Sequence, residues 1–197
     1  MNVLTTYAEK AYRDKLSSVA TETHHENWLD FLPKTPGTFL DIGAASGRDA
    51  NWFAERGWSV TAVESNRDWA LMEESKGNIE WVRDELPNLL KLMVKPQYDV
   101  ILVSDVWAQL DRTGQQQALL RLFGLMKHDG LLVINWTVPK SDGYSNTVDL
   151  VTLRKALIIE SDDPISSDRI MFNAVFGSEK TTPDHTVDVE EAISSVV

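Results

Sequence analysis

Residues 39–66, FLDIGAASGRDANWFAERGWSVTAVESN, decide how the rest of this 197-residue chain is read. An apolar run ends at Asp41 and passes into a turn bracketed by Gly43 and Gly47. An amphipathic stretch follows over 47–56, with Ala50, Phe53 and Ala54 on one stripe and Gly57 as its stop. A second run, 58–63, is made of β-formers and closes on Glu64. Strand, glycine turn, helix and strand in that order predict a parallel sheet.

The alternation continues downstream. Asn66 caps a predicted helix over 67–75, with Asp68 in its first turn. Residues 79–83 form a short strand, and YDVILVS, 98–104, a buried one. Thr113 with Gln116 resembles a capping box. It opens a helix to about Lys127 with Leu119, Leu122, Phe123 and Met126 inward, and LLVINW follows as the fifth strand. Five strands alternating with four helical segments predict a sheet wound on both faces. Its strand C-termini then share one edge, where such sheets bind ligands. Upstream, 4–32 read as two short helices, the second over 22–32 carrying Trp28, Leu29 and Leu32, and Lys34-Thr-Pro-Gly37 breaks the chain. This divides the sequence into an N-terminal helical cap, 1–36, and a main domain, 37–197. Past Trp136 the pattern predicts a loop, a helix over about 148–159, a strand at RIMFNAVFG, another at HTVDVEE and a loosely packed end.

Net charge is −11, from 19 basic and 30 acidic residues. A duplex-binding surface needs a basic patch, and the one loose cluster, Arg121 to Lys127, reads as a solvated helix face. No nucleic-acid partner is expected. With no cysteine there is no disulfide, thiolate metal site or thiol nucleophile. No apolar run approaches the roughly 20 residues of a membrane span, so no membrane partner is expected. The start, MNVLTTYAEKAYRDK, lacks a signal peptide's apolar stretch, which suggests a cytoplasmic protein. Metal-ligand spacing, a nucleophile elbow and a phosphate-binding Lys-Ser loop are all absent. The sequence leaves the oligomeric state open.

The glycine turn lets backbone approach a ligand, and Ala44, Ala45 and Ser46 inside it are small. In dinucleotide enzymes such a turn holds pyrophosphate at a helix N-terminus. A carboxylate at Asp41 is a poor neighbour for phosphate and suits a cation. Glu64, ending the second strand, suits the paired hydroxyls of a ribose. Asp84, just past the third strand, can accept from an adenine amino group. A cationic, ribose-bearing, adenine-bearing ligand without phosphate matches all three, and S-adenosylmethionine is such a molecule.

These residues resemble the cofactor-binding motif of class I S-adenosylmethionine-dependent methyltransferases. WVRDELP, YDVILVSDVWAQL and HDGLLVIN follow in order at the family's intervals, and YAEKAYRDKL is similar to its N-terminal helix. The likeness covers about residues 4 to 136. It implies a three-layer Rossmann-like sandwich with a mostly parallel seven-stranded sheet, whose last two strands the sequence leaves open. It implies S-adenosylmethionine as cofactor, with Asp41 near the methionine ammonium and Gly43, Ala44, Ala45 and Gly47 passing beneath the methionine and ribose. Glu64 would take the ribose hydroxyls with Ser65 beside the adenine. Asp84 would meet the adenine amino group, with the Glu85 amide nearby. Ser104 and Asp105 would border the methyl group and the acceptor, and Tyr12, or Tyr7, would close over the methionine end. Two departures stand out. Ala45 replaces the usual middle glycine, and Gln109 stands where many relatives carry a histidine.

The acceptor is expected to be a small molecule or a protein side chain. The proline motif of amino-methylating DNA enzymes is missing from Ser104-Asp105-Val106-Trp107. Trp107, Trp136 and Tyr144 are candidates to line its pocket. Asp105 and His25 are the candidate bases, although adjacent histidines point about 100° apart on a helix and a surface role suits both His24 and His25. Arg48 and Asp49 can pair at the helix start. The alternative is a non-catalytic module that binds S-adenosylmethionine or S-adenosylhomocysteine as a regulator.

Overall fold

The computed structural model describes residues 18–65, 79–93, 95, 97–139, 157–162 and 169–177. Within them the strands are β1 (Thr38–Ile42), β2 (Ser59–Val63), β3 (Ile79–Val82), β4 (Tyr98–Ser104), β5 (Met126–Pro139), β6 (Leu157–Asp162) and β7 (Arg169–Phe176). The helices are α1 (Thr21–His24), α2 (Arg48–Glu55) and α3 (Arg112–Leu125). The strands form one seven-stranded sheet in the order β3-β2-β1-β4-β5-β7-β6. Strands β1 to β5 pair in parallel, and β7 runs antiparallel between β5 and β6.

A sheet buried on both faces needs apolar residues at successive positions, and β1, β2 and β4 supply them. In β1, Phe39 belongs to one core and Leu40 and Ile42 to the other. The first core packs Ala50 and Phe53 of α2 with Trp28 and Trp58 against Val60, Leu102 and Val133. The second packs Ala118, Leu122 and Leu125 of α3 against Ile101, Val103, Leu132 and Ile134. Helix, sheet and helix are the three layers. Trp107 and Trp136 are buried in the second core rather than open to an acceptor. Tyr144, like Tyr7 and Tyr12, lies outside the described residues.

Several local expectations are corrected. The helix expected over 22–32 is broken into α1 and a 3-10 turn at Leu29–Phe31. The break sinks Trp28 fully into the core, where its indole N–H donates to His25 Nδ1 at 3.1 Å. Helix α3 starts from Asp111, whose carboxylate accepts from the Gly114 amide at 2.7 Å, instead of a Thr113–Gln116 box. Its buried face is Gln115, Ala118, Leu122 and Leu125, while Phe123 is exposed. It stops at Leu125, and Met126 already pairs with Tyr98 in the sheet. Arg121 is no solvated cation: its Nη2 donates to the Leu89 and Leu92 carbonyls. Residues 157–159, expected in a helix, lie in β6, where Leu-Ile-Ile suits a strand paired with β7 better than its leucine spacing suits a helix. The rest of that predicted helix, the helix at 67–75 and the strand at HTVDVEE fall outside the described residues.

Candidate functional site

Strand β1 ends at Ile42, and the chain turns through Gly43 and Gly47, both at φ 82°. A Cβ on Gly43 would sit 2.7 Å from Val106 Cγ1 and 2.8 Å from the Ser104 carbonyl oxygen, so glycine is required twice over. Gly47 packs against the Trp81 ring and leads into α2. Ala45 holds φ 46°, a left-handed conformation that costs a non-glycine residue roughly 1–2 kcal/mol. Its amide is held at 2.9 Å by the Glu64 carboxylate, across from the end of β2. The Gly43 and Ala44 amides both donate to the Val63 carbonyl.

The turn edges a small cleft that is open to solvent. Of the residues singled out from sequence, Gly43, Glu64, Ser65, Asp84 and Glu85 line it. Asp41, Ala44, Ala45, Gly47, Ser104 and Asp105 lie off its wall. Ile42, Val63, Leu86, Val106 and Leu110 also line it and were not singled out; their one sequence signal is position at or just after the ends of β1 to β4. Gln109 also lines the cleft, and its Nε2 donates to the Asp105 carbonyl at 3.1 Å. Among the described residues no lysine or arginine is in that lining.

Asp84 organises its own loop. One carboxylate oxygen accepts from the Glu85 amide at 2.9 Å and the other from the Lys91 amide at 2.6 Å. Asp41 is different. It is 1% exposed, and neither carboxylate oxygen makes a well-formed hydrogen bond among the described residues, although the Ala50 amide and the Arg48 charge act on it weakly. Burial first, and then the nearby Asp49 charge, push its carboxyl well above the usual carboxylate range. A buried acid so weakly compensated is costly, and a further positive group beside it would relieve that cost.

Behind the turn lies a buried polar cluster on the α1 side of the sheet. Asp49, in the first turn of α2, accepts from Thr21 Oγ1 at 2.9 Å and from Arg48 Nε and Nη2 at 2.8 and 2.6 Å. His25 Nε2 lies 3.1 Å from Asp49 Oδ2. Since His25 Nδ1 accepts from Trp28, the proton is assigned to Nε2, which donates to Asp49. Both ring nitrogens of His25 are therefore engaged, and the side chain is fully buried. His24 is equally buried, so the expected surface role of this pair is corrected. Burial first, and then the Arg48 charge, lowers the His24 imidazole from 6.5 to about 2, which keeps it neutral.

Asp105, just past β4, sits at φ 54°. Its amide donates to Asn135 Oδ1 at 2.8 Å, and Asn135 Nδ2 lies 3.3 Å from His24 Nε2. The Asp105 carboxylate is 3.8 Å from the same ring nitrogen. Sequence reading passed over Asn135, although a lone asparagine within LLVINW was a visible signal. Among the described residues no group of three or more His, Asp or Glu side chains could hold a metal, and no helix is long and apolar enough to cross a membrane.

The family model described as a methyltransferase domain matches residues 7–154. The chain belongs to this methyltransferase family. Its sheet order and glycine turn are those of the class I S-adenosylmethionine-dependent enzymes that the sequence resembled. Among solved structures, this methyltransferase is similar to the 1,6-didemethyltoxoflavin-N1-methyltransferase of Burkholderia thailandensis with bound 1,6-didemethyltoxoflavin and S-adenosylhomocysteine. The two share 20% identity and a TM-score of 0.56, over 84% of this chain and 89% of that one. It is similar to the N-methyltransferase NodS of Bradyrhizobium japonicum in complex with S-adenosylhomocysteine, at 16% identity and TM-score 0.60, over 85% and 88%. A SAM-dependent methyltransferase of Archaeoglobus fulgidus matches at 17% identity and TM-score 0.62, over 87% and 99%. No curated protein sequence matches.

Proposed function

We propose that this methyltransferase carries the methyl group of S-adenosylmethionine to a small molecule or a protein side chain. One observation supports the reading: acids lie at or just past the C-terminal ends of β1 (Asp41), β2 (Glu64) and β3 (Asp84) around a glycine turn, beside a cleft lined by no lysine or arginine among the described residues. A phosphate-bearing cofactor finds no counter-charge there, whereas a phosphate-free nucleoside with a positive amino-acid end does. The neighbours crystallised with S-adenosylhomocysteine support the same ligand class.

The residues present fit that molecule. Asp41, buried and only weakly compensated, suits the ammonium. The turn of Gly43, Ala44, Ala45 and Gly47 passes beneath the methionine and ribose. Glu64 accepts from the ribose hydroxyls while still holding Ala45. Ser65, Asp84 and the backbone at Glu85 border the adenine. Tyr12, on the segment before α1, is the candidate cover. Ser104 and Asp105 face the acceptor side. When bound, the cofactor supplies an electrophilic methyl carbon on sulfur. The protein's share is to orient the acceptor and keep water out, and orientation alone can be worth roughly 7–11 kcal/mol. An amine, thiolate or carboxylate acceptor needs no base at the moment of transfer. That agrees with His25 being engaged elsewhere and with Gln109 in place of a histidine.

Titration calorimetry with S-adenosylmethionine, S-adenosylhomocysteine and NAD tests the ligand. The first two should saturate and NAD should not; micromolar NAD binding overturns the assignment. Labelled methyl transfer to the small-molecule and protein fractions of a cell extract tests the activity. Tight binding with no transfer to either fraction identifies a binding module instead.

A further inference from the structure

We propose that Asn135, oriented by His24, is a positioning residue that sets Asp105 and the turn after β4, the acceptor-side wall of the transfer site. The inference rests on the methyltransferase reading above for what that wall does. Asn135 stands on β5 directly opposite Ser104 in the sheet register, so its side chain is beside the residue where β4 ends. It is fully buried. Its amide spans two elements: Oδ1 accepts from the Asp105 backbone at 2.8 Å, and Nδ2 approaches His24 Nε2 at 3.3 Å.

The direction of these bonds is fixed by chemistry. A backbone N–H only donates, so the atom facing Asp105 is the amide oxygen, and the NH₂ group must face the imidazole. His24 Nε2 then accepts, which a neutral ring can do and a charged one cannot. Reversing the amide would leave two donors face to face at Asp105. His24 thus gives the Asn135 amide its second anchor, from a four-residue helix whose Thr21 also holds Asp49.

What these bonds hold is a strained turn. Asp105 adopts φ 54°, and the next residue, Val106, is turned beneath Gly43 into the cleft lining. Gln109 then closes the turn by donating to the Asp105 carbonyl. Asp105 is therefore held at its amide by β5 and at its carbonyl by the following 3-10 turn, with its carboxylate beside His24. Neither Asn135 nor His24 lines the cleft. Their effect on transfer passes through the backbone of Asp105.

The test compares Asn135→Ala, His24→Leu and His24→Gln. The glutamine can still offer an oxygen to the Asn135 amide, and the leucine cannot. Three quantities are read in the full chain: amide-hydrogen exchange at Asp105 with S-adenosylhomocysteine bound, the dissociation constant for S-adenosylhomocysteine, and labelled methyl transfer to cell-extract fractions. The expected result is at least tenfold faster exchange at Asp105 in N135A and H24L. Transfer should fall at least tenfold in both, with the dissociation constant changed less than threefold and H24Q restored to within threefold of the parent. Unchanged Asp105 exchange in folded H24L and N135A overturns the proposal. So does a fall in S-adenosylhomocysteine affinity that matches the fall in transfer, or H24Q behaving like H24L. If N135A does not fold, the two His24 variants decide alone. If the parent transfers nothing, the methyltransferase reading fails, while Asp105 exchange still judges the positioning claim.

Discussion

The Ala45 amide donates to the Glu64 carboxylate at 2.9 Å, tying the glycine turn after β1 to the end of β2. Glu64 therefore has two tasks: it stabilises a left-handed non-glycine residue and presents charge to the cleft. Ala45 is tolerated where relatives favour glycine because this bond offsets its strain.

Glu64→Ala should weaken S-adenosylhomocysteine binding by about 1.5–3 kcal/mol, the loss expected for charge-assisted hydrogen bonds. It should also lower the melting temperature, because the Ala45 turn loses its tether. Glu64→Gln keeps an acceptor for Ala45 and should retain most of the stability while still losing affinity. Calorimetry and thermal unfolding of both variants separate the tasks. Equal stability of the two variants would mean that the tether contributes nothing.

Gly43→Ala should destabilise the fold by about 1–3 kcal/mol, since it imposes φ 82° on a side-chain-bearing residue. Val106→Ala added to it should recover only part. The second contact is with the Ser104 carbonyl oxygen, which is backbone and cannot be trimmed. Urea unfolding of the single and double variants measures this. Full recovery in the double variant would show that Val106 alone sets the clash.

The β1-turn-α2-β2 unit was legible because each of its signals is local: an apolar run, a bracketed turn and a helix stripe. The sheet edge that collects Glu64 and Asp84 followed from parallel topology, without any knowledge of contacts. The misreadings came where long-range packing overrode local pattern. Trp28 left its helix to fill a core, Asp111 took the cap from Thr113 two positions earlier, and packing on the sheet chose Gln115, Ala118, Leu122 and Leu125 as the buried face of α3. Leu157 to Ile159 had helical leucine spacing but were claimed by pairing with β7. His24 and His25 looked like surface residues because nothing near them in sequence reveals that Asp49 and Asn135 come to meet them. Asp41 could be placed at a strand end from sequence, but its weak compensation is a property of the packed structure alone.

Arg121→Ala should loosen the loop that carries Asp84. The guanidinium ties the Leu89 and Leu92 carbonyls to α3, and Leu92 adjoins Lys91, whose amide holds Asp84. A loss of about 1.5–3 kcal/mol is expected for hydrogen bonds to a charged group. Affinity for S-adenosylhomocysteine should fall with it, although Arg121 does not line the cleft. Arg121→Lys offers a point charge in place of the planar fork and should rescue only partly. An unaltered dissociation constant in R121A would uncouple this loop from the site.

His24 makes stability depend on pH in a defined direction. Folding lowers its imidazole from 6.5 to about 2, with burial the largest cause. Above pH 6.5 neither the folded nor the unfolded form carries the proton, and His24 adds no pH dependence. Below 6.5 the unfolded chain takes up a proton that the folded chain refuses, so stability falls as the solution is acidified, down to about pH 2. The slope is about 1.4 kcal/mol per pH unit, or about 2 kcal/mol lost by pH 5. Asp49 is shifted in the same direction but in a lower range: its partners His25 and Arg48 overcome burial and lower its carboxyl, so its contribution is present above the unfolded value near 3.8 and is lost only in stronger acid. The two effects are therefore separable between pH 7.5 and 5. Urea unfolding at those two values should show His24→Gln losing about 2 kcal/mol less than the parent on acidification. An identical loss in both proteins would mean that His24 is free to protonate in the folded state.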